Sequence, residues 1–354
     1  MSFSTTRVNS SELNEDNYVS TENMLQDYQG IVEAKSVPED VNVISFSCGN
    51  ILISNIRPYL KKVWKSTFNG GCSSDVFVLK ANDNIESDYL HYVIANDKFI
   101  NFVMSGAKGV KMPRGDKKQM KTYSLSLPQI QEQHKIARLL SLLDERITTQ
   151  NKIIDKLQSL IKGIVDCTIL RKEKNAIVGD VCSISEQIRA EANIDDIITV
   201  RLHGNGVCKS SAENLQLGAT QYYRRRAGQL IYGKQNFHNG AIGIVPISLD
   251  NGITSKDIPS FDIDKVKCNS IYYLLAQLQS PQYYKPAEAL TTGTGSKRLK
   301  EETFLKMPIV LPNKREQDNI ANLIYRTSID LDQAKRLLEL FSIQKQYLLR
   351  QMFI

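Results

Sequence analysis

The stretch LPQIQEQHKIARLLSLLDERITTQNKIIDKLQSLIKGI, residues 127–164, decides how this chain is organised. From Ile136 it continues through Leu140, Leu143, Ile147, Gln150, Ile154, Leu157, Ile161 and Ile164, in steps of four and three that form a heptad seam. Leu127-Pro128 marks the start of the helix, because proline's fixed φ and missing N–H are tolerated in a first turn and not further in. Charged residues such as Glu145, Arg146, Lys152 and Asp155 fill the intervening positions. A second series follows Leu311-Pro312: Ile320, Ile324, Thr327, Leu331, Ala334, Leu338, Phe341, Lys345 and Leu348. A helix of about 40 residues reaches about 60 Å, longer than a small domain is wide. Neither helix can bury its stripe against its own domain alone. The two are expected to pack on each other as an antiparallel coiled coil; pairing between copies of the chain is the alternative. The polar seam residues Gln150 and Lys345 would then help to set register.

The two series belong to a duplication. At an offset of 184 residues Tyr89-Leu90 corresponds to Tyr273-Leu274, Phe99 to Tyr283, Gly109 to Gly293, Arg114 to Arg298, Leu127-Pro128 to Leu311-Pro312, and Gln133 to Gln317. Upstream, Gly49-Asn-Ile-Leu-Ile resembles Gly228-Gln-Leu-Ile-Tyr at an offset of 179, while residues 1–48 and 170–227 do not align. Each half opens with short apolar runs, Ile51-Leu-Ile53 and Val76-Phe-Val78 or Gln229–Tyr232 and Ile242–Val245, bounded by Gly, Asn, Ser and Pro. Helical stretches near 86–104 and 269–290 follow. The expected fold is α+β, with globular domains at 1–128 and 173–311 and spacer helices at 129–172 and 312–354, related by a pseudo-twofold.

Composition narrows the function. The 354 residues are 42% hydrophobic and carry a formal charge of +7, but residues 1–40 hold eight acids against Arg7 and Lys35, which leaves the remainder at +13. Such an excess favours a polyanionic partner. The six cysteines form no Cys-x-x-Cys pair or zinc-type cluster, and read as reduced thiols. No run reaches the roughly 18 apolar residues of a membrane span, so a cytoplasmic protein is expected.

Catalytic patterns are missing. There is no Gly-x-x-x-x-Gly-Lys-Ser/Thr phosphate loop and no Pro-Pro pair of the kind that holds a target adenine in methyl transfer. His91, His134, His203 and His238 are scattered and accompany no nucleophile elbow. Asp27, Glu33 and Lys35 could be forced into a metal-dependent nuclease pattern, although a solvated acidic face explains them more simply.

What remains is basic. Arg57, Lys61, Lys62 and Lys65 lie close together with Tyr59 and Trp64, and the second half places Arg201, His203, Lys209, Arg224, Arg225, Arg226, Lys234, Asn236 and His238 around comparable strands. Lys108, Lys111 and Arg114 match the tract Gly293-Thr-Gly-Ser-Lys297-Arg298. Lysine and arginine neutralise phosphates, whereas Arg, Asn and Gln also pair with base edges.

With Gly49-Asn-Ile-Leu-Ile-Ser-Asn-Ile-Arg-Pro58, the Leu127–Ile136 segment with Leu143-Asp144 and Ile147, and their partners Gly293–Arg298 and Leu311-Pro-Asn-Lys-Arg-Glu-Gln317, the chain resembles the specificity subunits of Type I restriction-modification systems. The resemblance covers nearly the whole chain. It implies a non-catalytic protein with two target-recognition domains, each reading one half of a split sequence in double-stranded DNA, while the helices set the spacer. It also implies two modification subunits that carry S-adenosylmethionine and bind along the helices, and a restriction subunit that uses ATP and Mg; no cofactor belongs to this chain. One departure is that Ala176-Ile-Val-Gly-Asp180, which opens the second domain, has no clear counterpart in the first half. A single-chain nuclease and a DNA-associated coiled-coil scaffold are the competing readings.

Overall fold

The computed structural model describes residues 1–210, 220–293 and 297–353. Two β-rich domains are joined by two long helices that pack together, a mixed α+β architecture. The central helix covers Ile130–Val165 and the C-terminal helix Lys314–Met352. The chain divides into two compact units, Met1–Asn151 with Arg336–Ile354, and Lys152–Lys335. Each unit therefore contains one β-rich domain and part of both helices.

In the first unit an antiparallel sheet runs Ser2–Phe3, Val76–Lys80, Ile51–Ser54, Val63–Lys65. Successive side chains of a strand point to opposite faces. Ile51, Ile53, Phe77 and Leu79 accordingly pack with Tyr89, Phe99, Leu140 and Phe353, while Leu52, Val76 and Val78 pack with Phe46 on the other face. Burial on both faces explains why these strands read as continuous apolar runs. Helices Ser87–Ile94 and Asp97–Ser105 lie over the first face, their N-caps made by Glu86 and Asn96.

The second unit repeats this sheet as Cys182–Ile184, Ser260–Ile263, Leu230–Tyr232, Ile242–Ile244. The register is the same: Ile51 faces Lys65 as Leu230 faces Ile244, and Phe3 faces Leu79 as Ile184 faces Phe261. Ser2–Phe3 and Cys182–Ile184 are thus equivalent, although their surroundings do not align in sequence. Strands of two or three residues carry too little pattern to be matched by eye. The duplication also reaches the helix ends, where Phe353 packs on Tyr89 and, 184 residues earlier, Ile169 packs with Tyr273.

Along the helices Leu140, Leu143, Ile154, Ile320, Ile324 and Leu331 are buried, and Ile136, Ile147, Leu157, Ile161, Leu338, Phe341 and Leu348 are half-buried. The start of the central helix shares a core with the end of the C-terminal one in the first unit, and the converse holds in the second, which makes the pairing antiparallel. Of the two polar seam residues, Gln150 is buried and Lys345 forms an ion pair with Asp144, whose carboxylate also accepts the Tyr92 hydroxyl at 2.8 Å. Burial, aided by Lys345, pushes the adjacent His91 down to about 4, so this polar cluster stays balanced at neutral pH.

Each helix is clasped at its start by an equivalent glutamine. Buried Gln133 accepts the Glu86 N–H at 2.8 Å and donates to the carbonyls of Asn84 (3.1 Å) and Pro128 (3.0 Å). Gln317 donates to the carbonyls of Lys267 (3.1 Å) and Pro312 (2.9 Å). The clasp supplies a physical reason for a Glu-Gln pair five residues after each Leu-Pro. Gln133→Ala is expected to lower unfolding stability by about 2 kcal/mol, because three partly buried backbone groups lose a partner. Urea denaturation of the full chain reads this directly.

Candidate nucleic-acid interface

Two hairpins dominate the placement of the basic residues. In the first unit Lys108 and Arg114 exchange backbone hydrogen bonds of 3.0 and 2.9 Å. Gly109 opens the loop at φ 95°, a conformation costly for any residue with a Cβ. Val110, Lys111 and Met112 are exposed at the tip, and the Pro113 carbonyl accepts the Arg57 N–H at 2.8 Å. In the second unit Thr292 and Arg298 make the same double bond at 3.0 and 3.0 Å, and Gly293 has φ 127°. Residues 294–296 of the tract lie outside the described residues.

Several other basic residues serve the fold locally. Lys61 pairs with Asp97 at 2.8 Å and lies over Tyr28, Lys62 donates to the Thr21 carbonyl at 2.6 Å, and Lys65 pairs with Asp88. Lys234, only 11% exposed, pairs with Glu301 at 2.7 Å. Arg57 is half-buried in a left-handed conformation, with its Nε enclosed and unpartnered. Lys108 reaches Asp116 at 3.5 Å and Lys297 reaches Glu288 at 3.9 Å, both from largely exposed positions. Such exposed pairs hold a side chain weakly and leave it available to a phosphate. Lys111 and Lys209 are exposed and make no ion pair among the described residues. Arg201 donates to the Cys208 sulfur at 3.1 Å, and Arg224 is exposed on a groove with Glu186, Arg226 and Asp262. Asn236 and His238 flank and occupy the short turn Phe237–Asn239; the His238 Nδ1 is enclosed without a partner.

Arg225 corrects the sequence reading. It is fully buried, and its guanidinium donates to Thr254 Oγ1 (2.7 Å), Ser260 Oγ (3.0 Å) and the Ile258 carbonyl (3.0 Å). Burial draws its pKa down to about 10, still charged at neutral pH. A guanidinium whose donors are spent inside the domain presents none to DNA. Asp27, Glu33 and Lys35 are exposed, and among the described residues no three His, Cys, Asp or Glu side chains converge on a cation site.

A family model described as the Type I restriction modification DNA specificity domain matches residues 4–159. The Type I restriction enzyme EcoDI specificity subunit of Escherichia coli is 28% identical over 127 residues, 36% of this chain and 28% of that protein. The MjaVIII specificity subunit of Methanocaldococcus jannaschii is 22% identical over 285 residues, 71% of this chain and 66% of that protein. The matched stretches thus span less than two thirds of either relative. Among solved structures, the S subunit of a Type-I restriction-modification system from M. genitalium shares the fold, with a TM-score of 0.60 and 13% identity over 99% of this chain and 96% of that one. The chain is similar in sequence to specificity subunits of Type I restriction-modification systems, with the family model covering under half of it, and it shares the fold of a solved one. A chain solved for the complex assembly and conformational transition of such a system also shares this fold, at a TM-score of 0.53 and 15% identity over 98% of this chain and 96% of that one.

Two groups in this chain escape a sequence reading. Asp75 and Asp257 lie in turns of ordinary composition, yet they hold Arg114 and Arg298 at 3.4 and 3.1 Å. The only signal for them is their equivalent place before matching strands, visible once the register of the two halves is known.

Proposed function

We propose that this chain is a specificity subunit of a Type I restriction-modification system, the non-catalytic DNA-reading component of its complex. Its β-rich domains, residues 1–128 and 173–311, each read one half of a bipartite target in double-stranded DNA, and the helices at 129–172 and 312–354 set the gap. The observation that carries this is the repeated hairpin, which presents an exposed arginine from the same structural position in both units, with an exposed lysine on each hairpin. Basic groups at equivalent places suit a ligand that is itself a repeating polyanion.

The helices favour protein partners as well. Leu139, Leu142, Leu160, Leu323, Leu340 and Tyr347 lie off the seam and between 39% and 61% exposed. Apolar residues repeated along a helix and left open to water mark a surface that another protein covers. Two modification subunits with S-adenosylmethionine would dock there, and a restriction subunit with ATP and Mg would join them. Changing Leu340 and Tyr347 to glutamate is expected to leave the fold intact and abolish co-purification with the modification subunit; undiminished co-purification would exclude this face.

Single-molecule methylation mapping tests the function. DNA from cells expressing this chain with its genomic neighbours should carry a split adenine-methylated motif that disappears when the gene is deleted. No such motif, with the neighbours expressed and active, would overturn the proposal.

A further inference from the structure

We infer that Asp75 and Asp257 are equivalent positioning residues, which aim the hairpin arginines Arg114 and Arg298 at backbone phosphates in the two halves of the DNA site. The inference rests on the proposed DNA-reading function.

Backbone geometry establishes the equivalence. The Asp75 carbonyl accepts the Asn55 N–H at 2.7 Å, and the Asp257 carbonyl accepts the Lys234 N–H at 2.9 Å. The same two residues receive the hairpin from the other side: the Asn55 carbonyl accepts the Gly115 N–H at 3.1 Å, and the Lys234 carbonyl accepts the Leu299 N–H at 2.9 Å. Each aspartate thus binds a residue just past the end of a core strand with its backbone carbonyl, and the arginine of the hairpin's closing pair with its carboxylate. In both units the carboxylate reaches one guanidinium nitrogen, at 3.4 Å for Arg114 and 3.1 Å for Arg298. The remaining donors of each guanidinium are free to face a phosphate, since the arginine side chains are 57% and 46% exposed.

An exposed ion pair contributes little stability, so folding alone does not account for its presence at the same position in both halves. Its physical effect is orientation. A guanidinium is a rigid planar fork, and fixing one edge against a carboxylate points the other edge in a defined direction. Pre-ordering a long side chain removes a rotamer entropy cost from the moment of binding. A carboxylate near DNA otherwise repels it. Simple charge counting therefore predicts tighter binding when the aspartates are neutralised, whereas positioning predicts weaker binding.

The experiment is fluorescence-anisotropy titration of the full chain with a 40-base-pair duplex of random sequence across a series of KCl concentrations, alongside thermal unfolding. Asp75→Asn with Asp257→Asn should weaken binding about tenfold, the scale of one or two charge-assisted contacts, with unchanged unfolding temperature. The Asp→Glu pair should restore most of the loss. In an Arg114→Gln, Arg298→Gln background the aspartate changes should have no further effect. Binding that is unchanged or tighter in the Asp→Asn protein, while Arg114→Gln and Arg298→Gln weaken binding and flatten the salt dependence, overturns the positioning role and leaves the hairpins at DNA. If the arginine variants also bind like wild type, the hairpin assignment itself is wrong. A wild-type chain that shows no salt-dependent affinity for the duplex overturns the DNA-reading function together with the inference.

Discussion

Arg225→Met is expected to destabilise the second β-rich domain by about 3 kcal/mol, the cost of leaving several buried polar groups without partners. The reason is visible in the duplication. Arg225 donates its N–H to the Gly252 carbonyl at 2.7 Å, and by strand register it occupies the position that Phe46, facing Gly70, fills in the first unit. Around Phe46 stand Cys72 and Val78; around Arg225 the equivalent residues are Thr254 and Ser260. One half has an apolar plug and the other a polar one. A methionine keeps the unbranched apolar stem of Arg225 but is shorter and cannot satisfy Ser260, Thr254 or the Ile258 carbonyl. Replacing all three together, as Arg225→Phe, Thr254→Cys and Ser260→Val, should recover most of the loss, because a polar network exchanged whole for apolar side chains is often close to neutral. Urea denaturation followed by circular dichroism reads both. Wild-type stability of Arg225→Met combined with weakened DNA binding would return Arg225 to the interface.

Inserting four residues after Ile147 is expected to change the gap in the methylated motif or abolish assembly. The insertion advances the rest of the central helix by about 6 Å and turns it by about 40°. Side chains after the insertion, from Gln150 to Ile161, then miss the positions their partners occupy on the C-terminal helix, while Asp144 and Lys345 on the near side stay paired. A helix pair that acts as a ruler must transmit this change to the distance between the two readers; about 6 Å corresponds to roughly two base pairs. Methylation mapping of the variant distinguishes the cases. An unaltered motif from an intact complex would show that the helices do not set the spacing.

Much of the architecture was legible in the sequence because it is periodic. The two long helices announce themselves by a seven-residue repeat sustained for several turns, and the strands Ile51–Ser54 and Val76–Lys80 by apolar runs between turn residues. The site was less legible. A run such as Arg224-Arg225-Arg226 looks uniformly basic, yet at the end of the strand Tyr222–Arg224 the chain leaves Arg224 and Arg226 exposed and buries Arg225 between them. Lys61 and Lys65 read as free charges in the sequence, whereas folding brings Asp97 and Asp88, more than twenty residues away, beside them.

By itself, the sequence determined that this chain is a duplication with two β-rich domains and two long helices, since repeats, heptads and turn residues are local patterns that do not depend on which distant residues meet. Tertiary structure alone decided which basic residues are available. Whether a lysine or arginine is spent inside, as Arg225 and Lys234 are, or held at the surface, as Arg114 and Arg298 are, depends on carboxylates, hydroxyls and carbonyls that only folding brings within hydrogen-bond reach.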